Sequence, residues 1–315
     1  MSGQILVTDS LFIFKEHEDE LVRNGFSVVR LDKPKASENE LCQAIRGKVG
    51  YILGGIETVT SRVIEATDAL RVIAFTGSGY SEFIPGYETA TRKGIAITAA
   101  VGGNAEAVSE YTLALILMMA RRVPLLSAPG GASFFIGDAF KDLTVGVIGF
   151  GHIGQAVATR CSSLGFKVLA SSRSRTSGSL GPIRFVPIDE LVSSSDLVTV
   201  HVDKLHGTGV LDASLIGRMK KGTVLINAAF PHAIDENAMF ARICAKEIFG
   251  AFDAPVGQLP EGIPTGYYLQ SNAQTAFNTN NANKTISDMV ISSLLGILKT
   301  GNDKFLVNPD YKKWR

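Results

Sequence analysis

The sequence predicts an α/β protein made of two Rossmann-like, doubly wound parallel-sheet domains. Three observations carry that reading. Short, nearly continuous apolar segments alternate with amphipathic helical ones over the first hundred residues. That is the pattern of a parallel sheet covered on both faces. A second such series begins near Lys141, and at its head the apolar run 144–148 ends in Gly149-Phe-Gly151-His-Ile-Gly154. An apolar helical pattern (Ile153, Val157, Cys161, Leu164) starts at once.

In chain order, residues 4–8 form a short strand and residues 16–24 an amphipathic helix closed by Gly25. A strand over 27–31 precedes a helix over 38–46 that ends at Gly47. A strand over 50–53, a helix over 61–66, a strand over 71–75 and a strand over 94–98 complete the first unit. Beyond Val101-Gly-Gly-Asn104 comes a long apolar helix, 105–122. Its most apolar part, 111–120, is far shorter than the roughly 20 residues a bilayer requires, so it reads as a buried core helix. Residues 124–138 are rich in Pro, Gly and Ser and read as a loop. Strands over 144–148, 167–170, 197–201, 223–227 and 250–253 build the second unit, and a helix over 284–299 follows. Only the Asn/Thr-rich stretch 278–285 has biased composition. The domains are expected at 1–100 plus 285–315 and at 101–284.

Each glycine of the motif has a physical task. Gly149 permits the tight strand-to-helix turn, Gly151 lets backbone approach a pyrophosphate, and Gly154 lets the helix pack close on the strand. The unpaired N–H groups of the helix start, from His152 and Ile153 onward, then receive phosphate. A strand before, a helix after and a second strand following make a dinucleotide site the expectation. NAD-binding units place an acid at the end of the second strand to hold the ribose 2′-hydroxyl. Here that strand ends in Ser172-Arg173-Ser174-Arg175. No carboxylate repels a 2′-phosphate, and two guanidiniums with several hydroxyls could bind one, so NADP(H) is expected in preference to NAD(H). The alternative is a solvated basic turn.

Composition bounds the rest. With 45% hydrophobic and 19% charged residues over 315, and a formal net charge of +1, there is no electrostatic case for nucleic acid or an anionic membrane. Three widely spaced cysteines (Cys42, Cys161, Cys244) lack any zinc or disulfide pattern and are expected to be buried thiols. No metal site is expected. The first residues lack a basic segment followed by an apolar one, so no signal peptide is expected and the location is read as cytoplasmic.

Further stretches add to the motif. Gly102-Gly-Asn-Ala-Glu-Ala-Val-Ser-Glu110 leads into a Leu/Met-rich helix and Arg121-Arg122. Val198-Thr-Val-His201, Met219-Lys-Lys-Gly-Thr-Val-Leu-Ile-Asn227, Asp253 and Val307-Asn-Pro309 follow. Together these resemble the D-isomer-specific 2-hydroxyacid dehydrogenases along almost the whole chain. The resemblance implies that Asp253 orients the nicotinamide and that His201 packs against or contacts cofactor. It implies a C-terminal segment returning to the first domain, a cleft between the two domains and a homodimer through the dinucleotide domain. The segment between Arg122 and Asp142 is shorter than the family's dimerisation arm. Ala228 and Ala229 are read as cofactor-side positions. Thr76-Gly-Ser78-Gly79-Tyr80 resembles the loop whose N–H groups hold a substrate carboxylate; it reads equally as an anion nest or as a plain tight turn. Asn104, on the hinge segment, is a further substrate candidate.

The family's reaction uses an Arg to grip a 2-oxo acid and a His–Glu pair to move the proton. The Arg position holds Phe230, the Glu position Gln258 and the His position Asn272. No Arg occurs within 227–231 and no His follows His232. Gln and Asn can orient a substrate but cannot shuttle a proton. Substitutes are His206 and Lys204 on the loop after the 197–201 strand, His232, and Tyr267 or Tyr268. For each, a surface or packing role is the favoured reading. The expected activity is hydride transfer to or from a small carbonyl, hydroxyl or imine substrate that needs no Arg clamp, with Phe230 making the pocket apolar. The alternatives are a non-catalytic NADP(H)-binding sensor or scaffold, and a lyase or isomerase that keeps its nucleotide bound.

Overall fold

Runs rich in β-branched and aliphatic residues become strands β1 (Gly3–Thr8), β2 (Phe26–Leu31), β3 (Lys48–Leu53), β4 (Val72–Phe75) and β5 (Ala96–Ala99). They were located in a computed structural model that describes residues 3–8, 13–33 and 35–314, apart from the side chains of residues 205 and 206. All five pair in parallel, in the order β2-β1-β3-β4-β5. Alternation of side chains explains why these strands are apolar throughout. Ile5, Val7, Ile52 and Ala74 pack on one face against Ile286, Val290 and Leu294 of the long helix Asn280–Thr300. Leu6, Tyr51, Leu53 and Ile73 pack on the other, against Leu41, Val63 and Ile64.

The C-terminal return is tied to this sheet by backbone bonds, Val307 N–H to Ile97 O and Ala99 N–H to Phe305 O, and by the side chain of Asn308. Asn308, 1% exposed, accepts from the Ile97 N–H at 2.6 Å and donates through Nδ2 to Ile95 O at 2.9 Å and Thr91 Oγ1 at 3.0 Å. Asn308→Ala strands the buried Ile97 donor and should cost about 2 kcal/mol. Chemical denaturation would check this, and a loss under about 0.5 kcal/mol would show that water replaces the amide.

The second sheet contains β6 (Thr144–Ile148), β7 (Lys167–Ser171), β8 (Ser179–Leu180), β9 (Ile183–Phe185), β10 (Leu197–Val200), β11 (Val224–Asn227), β12 (Phe249–Phe252) and β13 (Tyr268–Gln270). Its order is β13-β12-β11-β10-β6-β7-β9-β8. Only the β8–β9 pair is antiparallel. The chain runs outward from β6 through β7 to β9, then crosses back to β10 on the other side of β6. The switch point where ligands bind in such sheets therefore lies between the carboxyl ends of β6 and β10.

Two compact units result, residues 1–104 with 280–315 and residues 105–279. Residues 101–104 and 280–284, assigned by sequence to the nucleotide unit, belong to the first. Several local expectations are corrected. Residues 123–127 of the supposed loop form a short helix, because Pro124 sits in its first turn, where a missing N–H costs nothing. The last helix begins at Asn280, ahead of the expected start at 284, and takes in most of the Asn/Thr-rich stretch. The helix Ala105–Ala120 buries one face only; Ala114 and Met118 are exposed. Of the thiols only Cys161 is fully buried, with its pKa pushed up to about 12, while Cys42 and Cys244 are half-buried. Among the described residues no helix is long and apolar enough to cross a membrane, and no cluster could hold a metal ion.

Candidate dinucleotide-binding site

The glycine loop leaves β6 at the switch point, and each glycine meets a different constraint. Gly149 has φ +89°, and a Cβ there would lie 2.1 Å from the His201 carbonyl oxygen. A Cβ at Gly154 would lie 2.0 Å from the Gly149 carbonyl oxygen, so the helix can sit on the loop only without a side chain there. Gly151 is different: a Cβ would meet nothing within 4 Å. It is the N-cap of the helix His152–Ser163, and no side chain caps that helix. The first-turn N–H groups thus face an open cradle fit for a pyrophosphate. His152 is exposed and Ile153 half-buried, packed with Val108, Ala228 and Ala276.

Beyond β7 the chain makes a closed turn. Ser172 N–H donates to Arg175 O at 3.1 Å and Arg175 N–H to Ser172 O at 3.2 Å, with Ser174 Oγ 3.4 Å from Ser172 Oγ. The two arginines separate in role. The Arg175 guanidinium lies 4.1 Å from the Phe185 ring centroid and donates to Ser179 O at 2.6 Å. It braces the sheet edge instead of serving as a free anion hook, which corrects the expectation of a matched pair. Arg173 is 68% exposed, its Nη2 3.8 Å from Asp203 Oδ2 beyond β10. A pair that exposed is worth little and yields readily to a phosphate.

At the end of β10, His201 Nε2 lies 2.9 Å from Thr199 Oγ1, while Nδ1 is buried with no partner. Burial drives its pKa down to about 3, so the ring is neutral at physiological pH. An orphaned ring nitrogen beside an open phosphate cradle fits a cofactor that supplies the missing contact.

At the carboxyl ends of β11 and β12, Ala228, Ala229, Phe230, Phe252 and Asp253 among others line a hollow too narrow to hold a water molecule. Its polar side chains are internally engaged. Asn227 accepts from Ala229 N–H at 3.0 Å and donates to Phe230 O at 2.8 Å, fixing the turn between them. Asp253, 2% exposed, accepts from Thr275 N–H at 3.1 Å, Ala276 N–H at 2.9 Å and Ser271 Oγ at 3.4 Å. Burial raises its carboxyl pKa and these bonds only partly offset that.

The proposed catalytic positions do not assemble into a proton-transfer set. Phe230 borders the hollow, but its ring, 7% exposed, belongs to the core around Leu211 and Ile234. Gln258 and Asn272 are exposed and absent from the hollow's lining, as is exposed His232. The side chain of His206 lies outside the described residues. Tyr267 stacks on Phe249 at 4.3 Å, and Tyr268 donates to Gln270 Oε1 at 3.2 Å, its pKa raised by burial. In the first unit Ser78 and Gly79 are exposed, and the Tyr80 ring packs on Tyr87 at 5.7 Å. Neither Gly77 nor Gly79 has positive φ, so the loop lacks the left-handed residue of an αR–αL anion nest. Asn104 is half-buried in the turn ending that unit. Sequence reasoning missed Ser271, Gln274 and Tyr111. Gln274 Nε2 donates to Ala229 O at 3.1 Å, and the Tyr111 hydroxyl hydrogen-bonds Ser271 Oγ. No periodicity or motif marks them; only the folded coil brings them to Asp253.

A doubly wound sheet with a glycine cradle at its switch point defines a dinucleotide-binding protein of the dehydrogenase type. The profile of the D-isomer specific 2-hydroxyacid dehydrogenase NAD binding domain matches residues 113–255. Hydroxypyruvate reductase of Thermotoga maritima is 31% identical over 220 residues, spanning 68% of this chain and 71% of that protein. D-3-phosphoglycerate dehydrogenase of Archaeoglobus fulgidus is 30% identical over 247 residues, spanning 76% of this chain. The match covers only 46% of that enzyme's length. Among solved structures, the TT0316 protein of Thermus thermophilus superposes with a TM-score of 0.81 at 25% identity, over 96% of this chain and 99% of that one. The chain belongs to the D-isomer-specific 2-hydroxyacid dehydrogenase family, and its nucleotide unit is built for a nicotinamide dinucleotide.

Proposed function

We propose that this chain is an NADP(H)-dependent oxidoreductase acting on a small carbonyl, hydroxyl or imine group without the family's Arg, Glu and His. The observation that carries the reading is the cradle at Gly151, uncapped and open where Gly149 and Gly154 are tightly packed. The bound dinucleotide supplies the hydride chemistry; the protein's part is positioning. First-turn N–H groups from His152 onward hold the pyrophosphate. Arg173, with the Ser172 and Ser174 hydroxyls, holds a ribose 2′-phosphate at the turn after β7. The polar groups Asn227 and Asp253 at the ends of β11 and β12 are satisfied internally, so no carboxylate clamp is built there.

Arg173→Ala should weaken NADPH binding roughly 10- to 30-fold and leave NADH within about 3-fold, the size of one charge-assisted phosphate contact. Titrations of both cofactors against both proteins test this. Tighter binding of NADH by the unaltered protein would sink the NADP(H) assignment.

The scattering of Phe230, Gln258 and Asn272 favours one second reading, a non-catalytic NADP(H)-binding protein. Tight NADPH binding with no oxidation against a panel of 2-oxo acids, aldehydes and imines would select it.

A further inference from the structure

The strongest unexplained feature of the nucleotide unit is that three donors from one coil converge on Asp253. Resting on the dinucleotide reading above, we infer that Asp253 is a positioning residue. It latches the coil 271–276 over the ends of β11 and β12, and so sets the nicotinamide end of the site through the position of that coil.

Three donors converge on this carboxylate from residues 18 to 23 positions further along the chain. The two amides are consecutive, Thr275 on Oδ1 and Ala276 on Oδ2, so one carboxylate pins two successive peptide units on either side of Thr275. Ser271 adds a hydroxyl at the other end of the coil and is itself held by Tyr111 of the helix Ala105–Ala120. Between the pinned ends, Gln274 reaches Ala229 O. Ala276 meanwhile packs with Val108 and Ala228, with Ile153 of the glycine motif against them. The coil is thereby fixed to the segment after β11 and to the start of the cofactor helix. Three of the roughly four lone-pair sites of this carboxylate are taken by the coil. An unlatched coil would leave the buried Ala276 amide without a partner.

The test compares ligand-free and liganded protein in Asp253→Asn, Ser271→Ala and Tyr111→Phe. In ligand-free protein, amide hydrogen exchange at Thr275 and Ala276 should rise at least ~10-fold in Asp253→Asn and roughly 3- to 5-fold in the other two, the range of lost hydrogen bonds. NADPH binding should weaken roughly 3- to 10-fold in Ser271→Ala and Tyr111→Phe. Binding of 2′-phospho-ADP-ribose, which lacks nicotinamide, should stay within about 2-fold in all three. If Ser271→Ala and Tyr111→Phe exchange and bind NADPH like the unaltered protein while Asp253→Asn alone loses NADPH, the carboxylate acts on the ring directly and the latch is wrong. If the unaltered protein binds neither NADPH nor the fragment, the dinucleotide reading fails separately, and the ligand-free exchange data still decide the latch.

Discussion

Alanine at Gly149 is expected to destabilise the nucleotide unit by about 3–5 kcal/mol. Alanine at Gly151, two residues on, is expected to leave the unit folded and cut dinucleotide affinity at least ~10-fold. The first figure combines two costs. A left-handed φ of +89° costs an L side chain about 1–2 kcal/mol, and a Cβ 2.1 Å from the His201 carbonyl oxygen forces β6 and β10 apart as overpacking does. At Gly151 neither cost arises, because φ is −80° and a Cβ meets nothing within 4 Å. A methyl there instead fills the cradle that phosphate must enter. Thermal melts and NADPH titrations read the two effects apart: Gly149→Ala should melt about 10 °C lower, and Gly151→Ala within about 1 °C of the unaltered protein. Unchanged NADPH binding in Gly151→Ala would mean that phosphate does not approach this loop, and the central assignment would fall.

That contrast marks how far the sequence could be read. The glycine motif and the ten principal strands were legible, because each depends on local pattern or on residue identity at a motif position. The strands that escaped, β8, β9 and β13, are two or three residues long and too short to carry periodicity. Arg175 looked like a phosphate hook since its partner, the Phe185 ring, lies ten residues away on the next parallel strand. Phe230 looked like a bare pocket wall, yet its burial depends on Leu211 and Ile234. Asp253 followed a family position, but its actual partners arrive from the coil 271–276, and nothing local in the sequence announces that pairing. Local chemistry was recoverable; the destination of each side chain was not.

The same separation would let a chain keep a cofactor cradle without the family's acid–base set. The cradle consists of backbone, fixed by glycine packing and a helix start, and it survives any change in the residues around the hollow. Proton transfer needs specific side chains at specific places. Those positions now hold a core phenylalanine and two exposed amides.

The second large effect is acid sensitivity set by His201. Its folded-state pKa lies near 3, against an ordinary value of 6.5, because burial disfavours the charged ring. Above about pH 6.5 the imidazole is neutral in folded and unfolded chains alike, so it imposes no pH dependence. As pH falls below that value the unfolded chain binds a proton that the folded chain refuses, and stability is lost down to the folded pKa. Between pH 8 and pH 5 one such group costs about 2 kcal/mol, at up to about 1.4 kcal/mol per pH unit. The carboxylates held low in the fold, Glu38, Glu40 and Glu247, lose their contributions only below about pH 5, outside this window. His201→Asn should therefore lose under about 1 kcal/mol between pH 8 and pH 5 where the unaltered protein loses about 2 more than this variant's remaining histidines account for. Denaturant unfolding at four pH values in this range measures both slopes. Parallel slopes would show that the ring takes up its proton in the folded protein, which requires water or a carboxylate to reach Nδ1.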